Sequence, residues 1–260
     1  MHLILTGATG LVGSGVLDVM IKMKDVTKIS ILSRRPVQMA EDVKDPRVNV
    51  ILHQDFNQYP KELLDQLKDA EGCVWALGIS QTKVNAEDYT KITKDYALNF
   101  CRAFQQAHSQ SNKPFNFVYV SGYGSTFTPR FWTPFYGKVK GETELELAAM
   151  RRENSLFKSM TARPNVIDPH QHPEILPYLP SDTPAMKPSL GLIVKFASQC
   201  AKWAHSPTQP LGKVLTELAM GRLDGQIEKE VGEKKGGVER LDGRFVVLEN
   251  SALRRLAGLD

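Results

Sequence analysis

The chain opens with His2-Leu-Ile-Leu-Thr-Gly7-Ala-Thr-Gly10-Leu-Val-Gly13, a short apolar run closed by three glycines at intervals of three. An extended Leu3-Ile4-Leu5, the glycines, and then the amphipathic run Leu11 to Met23 read as a first strand turning directly into a first helix. The glycines have a chemical reason at that junction. A pyrophosphate rests on the free N–H groups of a helix N-terminus only where no side chain bars its approach. Gly7 is expected to permit the tight turn, Gly10 the close approach of backbone to phosphate, and Gly13 the packing of helix on strand. Thr9 and Leu11 complete this candidate loop.

Outward from the loop, strand-like runs alternate with helical ones. Strands are expected at Leu3 to Thr6, Lys28 to Ser33, Val48 to Leu52, Cys73 to Ala76, Phe115 to Ser121 and Lys158 to Ala162; helices at Leu11 to Met23, Lys61 to Lys68, Glu87 to His108 and Tyr136 to Arg152. The alternation predicts an α/β fold with a doubly wound parallel sheet of the Rossmann kind. Seven prolines from Pro164 to Pro188 then interrupt the pattern. Beyond them, Leu190 to Ala204 and Pro210 to Gly221 look helical, Glu228 to Gly237 reads as a solvated loop, and Phe245 to Leu256 as a strand followed by a short helix. The expected organisation is a single domain over residues 1–260, with a dinucleotide-binding core at 1–165 and a C-terminal substrate lobe at 166–260.

The 260 residues carry a net charge of +4 with Lys and Arg scattered among Asp and Glu, so no basic stripe for nucleic acid emerges. No apolar run approaches the roughly 18 residues of a membrane span. Cys73, Cys101 and Cys200 are odd in number and lack a CxxC pair, which suggests reduced thiols buried as small hydrophobes. No secretory signal is visible, and the expected location is the cytoplasm.

Where a dinucleotide fold ends its second strand, an acid holds the adenosine ribose and arginines hold a 2′-phosphate. Here the residues are Ser33-Arg34-Arg35, which points to NADP(H). Asp55-Phe56, after the third strand, are candidates to bracket the adenine. Tyr136 and Lys140 stand one helical turn apart in Tyr-Gly-Lys-Val-Lys, so both project from one face. A phenol is a poor acid at neutral pH until a neighbouring ammonium favours its ionised form. His170-Gln-His172 suggests a metal pair but lacks further ligands at a familiar spacing, so no metal is expected. Tyr123, Phe127, Phe131, Trp132 and Phe135 are candidates to wall an apolar substrate site, or simply to pack a loop. A nucleophile elbow is excluded, because Tyr119 stands where its first glycine belongs.

In the order of these elements, residues 2 to 165 resemble the short-chain dehydrogenase/reductase superfamily, in its atypical or extended group. Ala76-Leu77-Gly78, Tyr136-Gly-Lys-Val-Lys140-Gly-Glu142 and Arg163-Pro164 look most like the subgroup of Tat-interacting oxidoreductase-like proteins and its fungal relatives. The resemblance implies NADP(H) across the carboxyl ends of the strands, Ala76, Leu77 and Gly78 lining its diphosphate and ribose side, and Arg163 to Val166 shaping the nicotinamide end. It also implies that Tyr136 donates a proton to a substrate carbonyl while Lys140 holds the nicotinamide ribose. One position departs. In strict register Gly122 falls where the superfamily places a catalytic serine, Ser121 is the nearest substitute, and Ser125 the next. A second departure is Asp95, near where many relatives have an asparagine that anchors a proton-relay water. Relatives often dimerise through helices of the fourth and fifth crossover, and a fungal group at the mitochondrial surface offers an alternative location. Two functions follow: an oxidoreductase acting on a small-molecule carbonyl or alcohol, or a non-catalytic NADP(H)-sensing scaffold that controls a partner.

Overall fold

Strands buried on both faces need apolar residues at every position, and the first strand has them. In the computed structural model β1 (His2–Thr6) is buried throughout: Leu3 and Leu5 enter one core layer and Ile4 the opposite one. The structure describes residues 1–109, 111–183, 191, 194, 196–198 and 200–260. β2 (Lys28–Ser33) and β3 (Val48–Leu52) flank β1 on one side; β4 (Gly72–Trp75), β5 (Phe115–Val120) and β6 (Phe157–Arg163) follow on the other. Val74 and Val118 join the Leu3 layer, whereas Trp75, Phe117 and Tyr119 join the aromatic layer around Phe56, Phe100 and Phe104.

The crossovers are α1 (Leu11–Lys22), α2 (Gln38–Val43), α3 (Lys61–Leu67), α4 (Ala86–Thr90), α5 (Tyr96–Ala107) and α6 (Phe135–Glu153). The long helix expected from Glu87 to His108 runs unbroken from Ala86 to Ala107, with a π-helical turn at Lys91–Asp95 between α4 and α5. The Tyr119 hydroxyl reaches into that turn and donates to the Thr93 carbonyl at 3.0 Å.

Beyond residue 165 the chain returns to the core. β7 (Val166–Asp168) pairs with β8 (His205–Pro207) in a small parallel sheet. Next come α7 (Thr208–Ala219), which packs along α1, and α8 (Asp224–Gly232). Then β9 (Val238–Leu241) and β10 (Phe245–Glu249) extend the main sheet beside β6, and α9 (Asn250–Leu256) follows. The order is β3-β2-β1-β4-β5-β6-β10-β9, parallel except for β9 against β10.

Two expectations need correction. The solvated loop expected at Glu228 to Gly237 holds for 233–237, but 228–232 are the end of α8, where Glu230 is buried and accepts from Arg255 at 2.8 Å. Its mixed charge marks only the outer face. Cys73 and Cys101 are buried, but Cys200 is exposed. The helix expected over Leu190 to Ala204 falls partly outside the described residues; its end, Lys202–Ala204, is a 3-10 turn.

Candidate functional site

The strand order reverses between β1 and β4, and a crevice opens where their carboxyl ends diverge. A cleft of 620 Å³ occupies it, lined by Gly7, Thr9, Gly10 and Leu11 after β1, Ser33, Arg34 and Arg35 after β2, and Ala76, Leu77 and Gly78 after β4. Gly7 takes φ +70°, and a Cβ there would lie 2.3 Å from the Ala76 carbonyl oxygen. The two loops are therefore in contact, fastened also by the Leu77 N–H donating to Thr6 Oγ1 at 3.2 Å. A Cβ on Gly13 would lie 2.0 Å from the Gly7 carbonyl oxygen, which identifies it as the packing glycine. Gly10 is different. A Cβ there meets only the Gly7 carbonyl oxygen at 3.3 Å, so the space beyond it is open. Gly10 also caps α1 without any capping side chain, leaving the first-turn N–H groups suited to an anion.

At the far end of the cleft the Ser33 hydroxyl donates to the Arg35 carbonyl at 2.7 Å and Gln54 Nε2 to the Arg34 carbonyl at 2.5 Å, so both arginine backbones are held. Arg35 Nη2 donates to Thr9 Oγ1 at 3.1 Å, placing its guanidinium beside the glycine loop. The cleft thus combines an open glycine cradle with two arginines at one end, a donor set whose chemistry suits phosphate groups. The Asp55-Phe56 expectation is corrected. Phe56 is fully buried between Trp75, Tyr59 and Tyr96, and Asp55 accepts from the Asn57 backbone N–H at 3.0 Å and closes its own turn. Gln54 lines the cleft in their place. The sequence reading also missed Lys83 and Asp182, which form an ion pair between two walls of the cleft. Ninety-nine residues separate them, so no local spacing could reveal them.

A second pocket of 310 Å³ lies at the ends of β5 and β6, lined by Ser121, Gly122, Tyr123, Tyr136, Pro164 and Asn165, with Val12, Val120 and Ile167. Helix α6 delivers two groups to the end of β5. The Tyr136 hydroxyl donates to the Tyr123 carbonyl at 3.0 Å, and Lys140 Nζ donates to the Val120 and Ser121 carbonyls at 3.2 and 2.9 Å. The Lys140 ammonium also lies 5.6 Å from the centre of the Tyr119 ring. Burial pushes Lys140 down to about 8, with the charge of Glu144 acting in the opposite direction. Ser121 lines the pocket with Tyr136, whereas Ser125 does not. A Cβ on Gly122 would meet nothing within 4 Å.

The residues expected at the nicotinamide end divide. Pro164 and Asn165 line the pocket, but Arg163 is buried against Glu144, with Nε 3.0 Å from Oε1, and against Glu249 at 2.8 Å. Desolvation opposes its charge, but these two carboxylates outweigh it and raise its affinity for the proton. Phe127 packs under the same guanidinium, 4.9 Å away, and so braces this network. Val166 pairs with His205 in the small sheet, while its neighbour Ile167 lines the pocket. His170 and His172 have separate partners: His170 bonds Asp168 at 2.7 Å, and His172 bonds Asp18 at 2.8 Å and Thr208 at 3.1 Å.

No family model matches the chain. It is 35% identical over 163 residues to the botcinic acid biosynthesis cluster B protein 16 of Botryotinia fuckeliana, covering 63% of this chain and 99% of that protein. It is 34% identical over 239 residues to the leucinostatins biosynthesis cluster protein T of Purpureocillium lilacinum, covering 85% of each. Protein FMP52, mitochondrial, of Meyerozyma guilliermondii is 29% identical over 64% of this chain and 65% of its own length. Among solved structures, the short-chain dehydrogenase/reductase YIR035C of Saccharomyces cerevisiae superposes with a TM-score of 0.62 at 15% identity over 98% of each chain. The yeast methylglyoxal/isovaleraldehyde reductase Gre2, solved with NADPH, gives 0.54 at 14% identity over 65% of this chain and 59% of its own. These structures share the fold.

Proposed function

The chain belongs to the family of the botcinic acid and leucinostatins cluster proteins, and from that premise we propose that it is an NADP(H)-dependent oxidoreductase on a short-chain dehydrogenase/reductase fold. Its substrate is a small molecule with a carbonyl or a hydroxyl group. The observation that carries this reading is the convergence of the Tyr136 phenol and Ser121 on one pocket beside the glycine-and-arginine cleft. The loops after β1 and β4 hold the diphosphate, and Arg34 and Arg35 the 2′-phosphate. NADPH bound there would supply the hydride for the carbonyl carbon.

Tyr136 gives its hydroxyl proton to the carbonyl oxygen, and Ser121 donates a hydrogen bond to the same oxygen as charge develops on it. Lys140, positive at neutral pH and fixed on the Val120 and Ser121 carbonyls, favours the tyrosinate left behind. Its ammonium also serves the nicotinamide ribose. The motifs Ala76-Leu77-Gly78 and Tyr136 to Glu142 support a place beside the Tat-interacting oxidoreductase-like proteins. No described helix is long and apolar enough to cross a membrane. The location we propose is the cytoplasm, with the mitochondrial surface as the alternative; the name FMP52, mitochondrial, supports a mitochondrial place.

Loss of NADPH absorbance over a panel of carbonyl compounds tests the reading. Turnover by the wild type that Tyr136→Phe lowers about 10²- to 10⁴-fold, with NADPH affinity retained, supports it. Tight NADPH binding without consumption of any carbonyl would replace it with the sensor reading, which Gly122 at the serine position favours.

A further inference from the structure

Charge is distributed unevenly between the two cavities. The dinucleotide cleft is lined by Arg34, Arg35, Lys83 and Asp182, whereas no Asp, Glu, Lys or Arg among the described residues lines the pocket of Tyr136. The nearby cations are already engaged: Lys140 by the carbonyls of residues 120 and 121, Arg163 by Glu144 and Glu249. A substrate carboxylate or phosphate entering this pocket would lose water and meet no charged side chain on its walls, and the Lys140 ammonium behind them is held by two carbonyls and serves the Tyr136 tyrosinate. The polar groups facing the pocket are Ser121, Tyr136 and Asn165, enough to orient one carbonyl; Val12, Val120, Tyr123, Pro164 and Ile167 supply the rest.

The wall continues outside the pocket. Tyr123, 52% exposed, meets Trp203, 60% exposed, with ring centroids 6.3 Å apart. The ring of Trp203 lies in solvent, but its backbone is anchored, because Asn250 Nδ2 at the start of α9 donates to its carbonyl at 2.7 Å. Among the described residues every exposed large aromatic belongs to one of two segments, 123–135 and 196–203, and Tyr123 and Trp203 join them. The exposed large hydrophobics elsewhere are aliphatic. Anchored flat rings left in water next to an uncharged pocket suit a flat apolar ligand.

We infer that the substrate is an uncharged, planar, apolar carbonyl compound whose reacting carbonyl sits between Ser121 and Tyr136 and whose body lies against Tyr123 and Trp203. This rests on the catalytic reading for the position of the carbonyl, and on the uncharged pocket lining and the exposed rings of Tyr123 and Trp203 for the class of ligand.

The probes are 2-acetonaphthone and 6-acetyl-2-naphthoic acid, which differ by one carboxylate, titrated calorimetrically into the full chain saturated with NADP+. The ketone is expected to bind at least about tenfold more tightly than the acid, and Trp203→Ala or Tyr123→Ala to weaken it about three- to tenfold, the span of one lost aromatic contact. Equal or tighter binding of the acid overturns the proposal, as does unchanged ketone affinity in both variants. Binding of the ketone without NADPH consumption supports the ligand class and defeats the catalytic reading. Turnover restricted to charged ketones does the reverse. If the ketone does not bind, and the protein instead sediments with phosphatidylcholine vesicles until Phe131→Ser and Trp132→Ser release it, the aromatic rim faces lipid and the proposal falls.

Discussion

Ser121 Oγ lies 2.9 Å from Ser125 Oγ, and Ser125 Oγ donates onward to the Gly122 carbonyl at 2.8 Å. A hydroxyl has one proton, so with Ser125 directed at that carbonyl, Ser121 is the donor in the pair. Ser121 alone of the two lines the pocket of Tyr136, and it can turn its proton to a ligand at the loss of one neutral hydrogen bond. Ser121→Ala is therefore expected to lower kcat by about 10²-fold or more, in the range of a lost oxyanion donor. Ser125→Ala should cost tenfold or less. Gly122→Ser should fold, because its Cβ meets nothing, and should restore part of the activity of Ser121→Ala. Steady-state kinetics of the three variants and the double variant check this; equal losses at 121 and 125 would refute the assignment.

The glycine loop separates folding from binding. Gly13→Val places a branched side chain on the Gly7 carbonyl and should abolish folding or lower Tm severely. Gly10→Val meets only the Gly7 carbonyl oxygen, which need give by a few tenths of an ångström, and should leave the circular dichroism native while removing NADPH binding. A folded Gly10→Val protein with normal NADPH affinity would reduce this loop to a turn.

Arg34 and Arg35 at the cleft predict a preference for NADPH over NADH of about 1.5–3 kcal/mol, roughly 10- to 150-fold in Kd. Fluorescence titration of both cofactors measures it. The double variant Arg34→Ala, Arg35→Ala should bring the two constants together, and equal constants in the wild type would sink the clamp.

Arg163 tests the correction made to its role. Arg163→Met leaves Glu144 buried without its partner and is expected to cost about 3–5 kcal/mol of stability. Urea denaturation gives the value. A loss under 1 kcal/mol combined with a large loss of NADPH affinity would return Arg163 to the cofactor site.

Lys140 imposes a pH dependence whose sign can be worked out. Its folded affinity for the proton is pushed down to about 8 by burial, against 10.5 in a solvated chain. Between these values the unfolded state binds more protons, so the contribution of this group to stability rises with pH. Its penalty is full below 8 and gone above 10.5. The urea midpoint of the wild type minus that of Lys140→Met should thus climb from pH 8 to pH 10.5 and stay flat from pH 6 to pH 7.5. A difference that is flat throughout would show that Lys140 is not desolvated.

Much of this protein was legible along the chain, because the features concerned are local. Gly7, Gly10 and Gly13 act within one turn, Ser33-Arg34-Arg35 end one strand, and β2 and β3 run where the apolar pattern placed them, from Lys28 to Ser33 and from Val48 to Leu52. Strand alternation is set by neighbours two residues apart and loop chemistry by neighbours three apart, so neither needs the rest of the fold. Tyr136 and Lys140 belong here too, since one helical turn makes them share a face.

Tertiary structure decided what distant residues do to one another. Phe56 follows a strand end, as an adenine-binding residue would, yet the rings of Trp75 and Tyr96 enclose it. Arg163 sits at the end of β6 beside the pocket, and Glu144 and Glu249, nineteen and eighty-six residues away, take its charge. Lys83 and Asp182 meet across the cleft, and Trp203 reaches Tyr123 from the other side of the proline-rich segment. The choice between Ser121 and Ser125 depended on which hydroxyl faces the cavity. Each of these outcomes turns on burial and on partners brought close by chain closure, and a charge or ring carries no mark in sequence of the group that will neutralise or cover it.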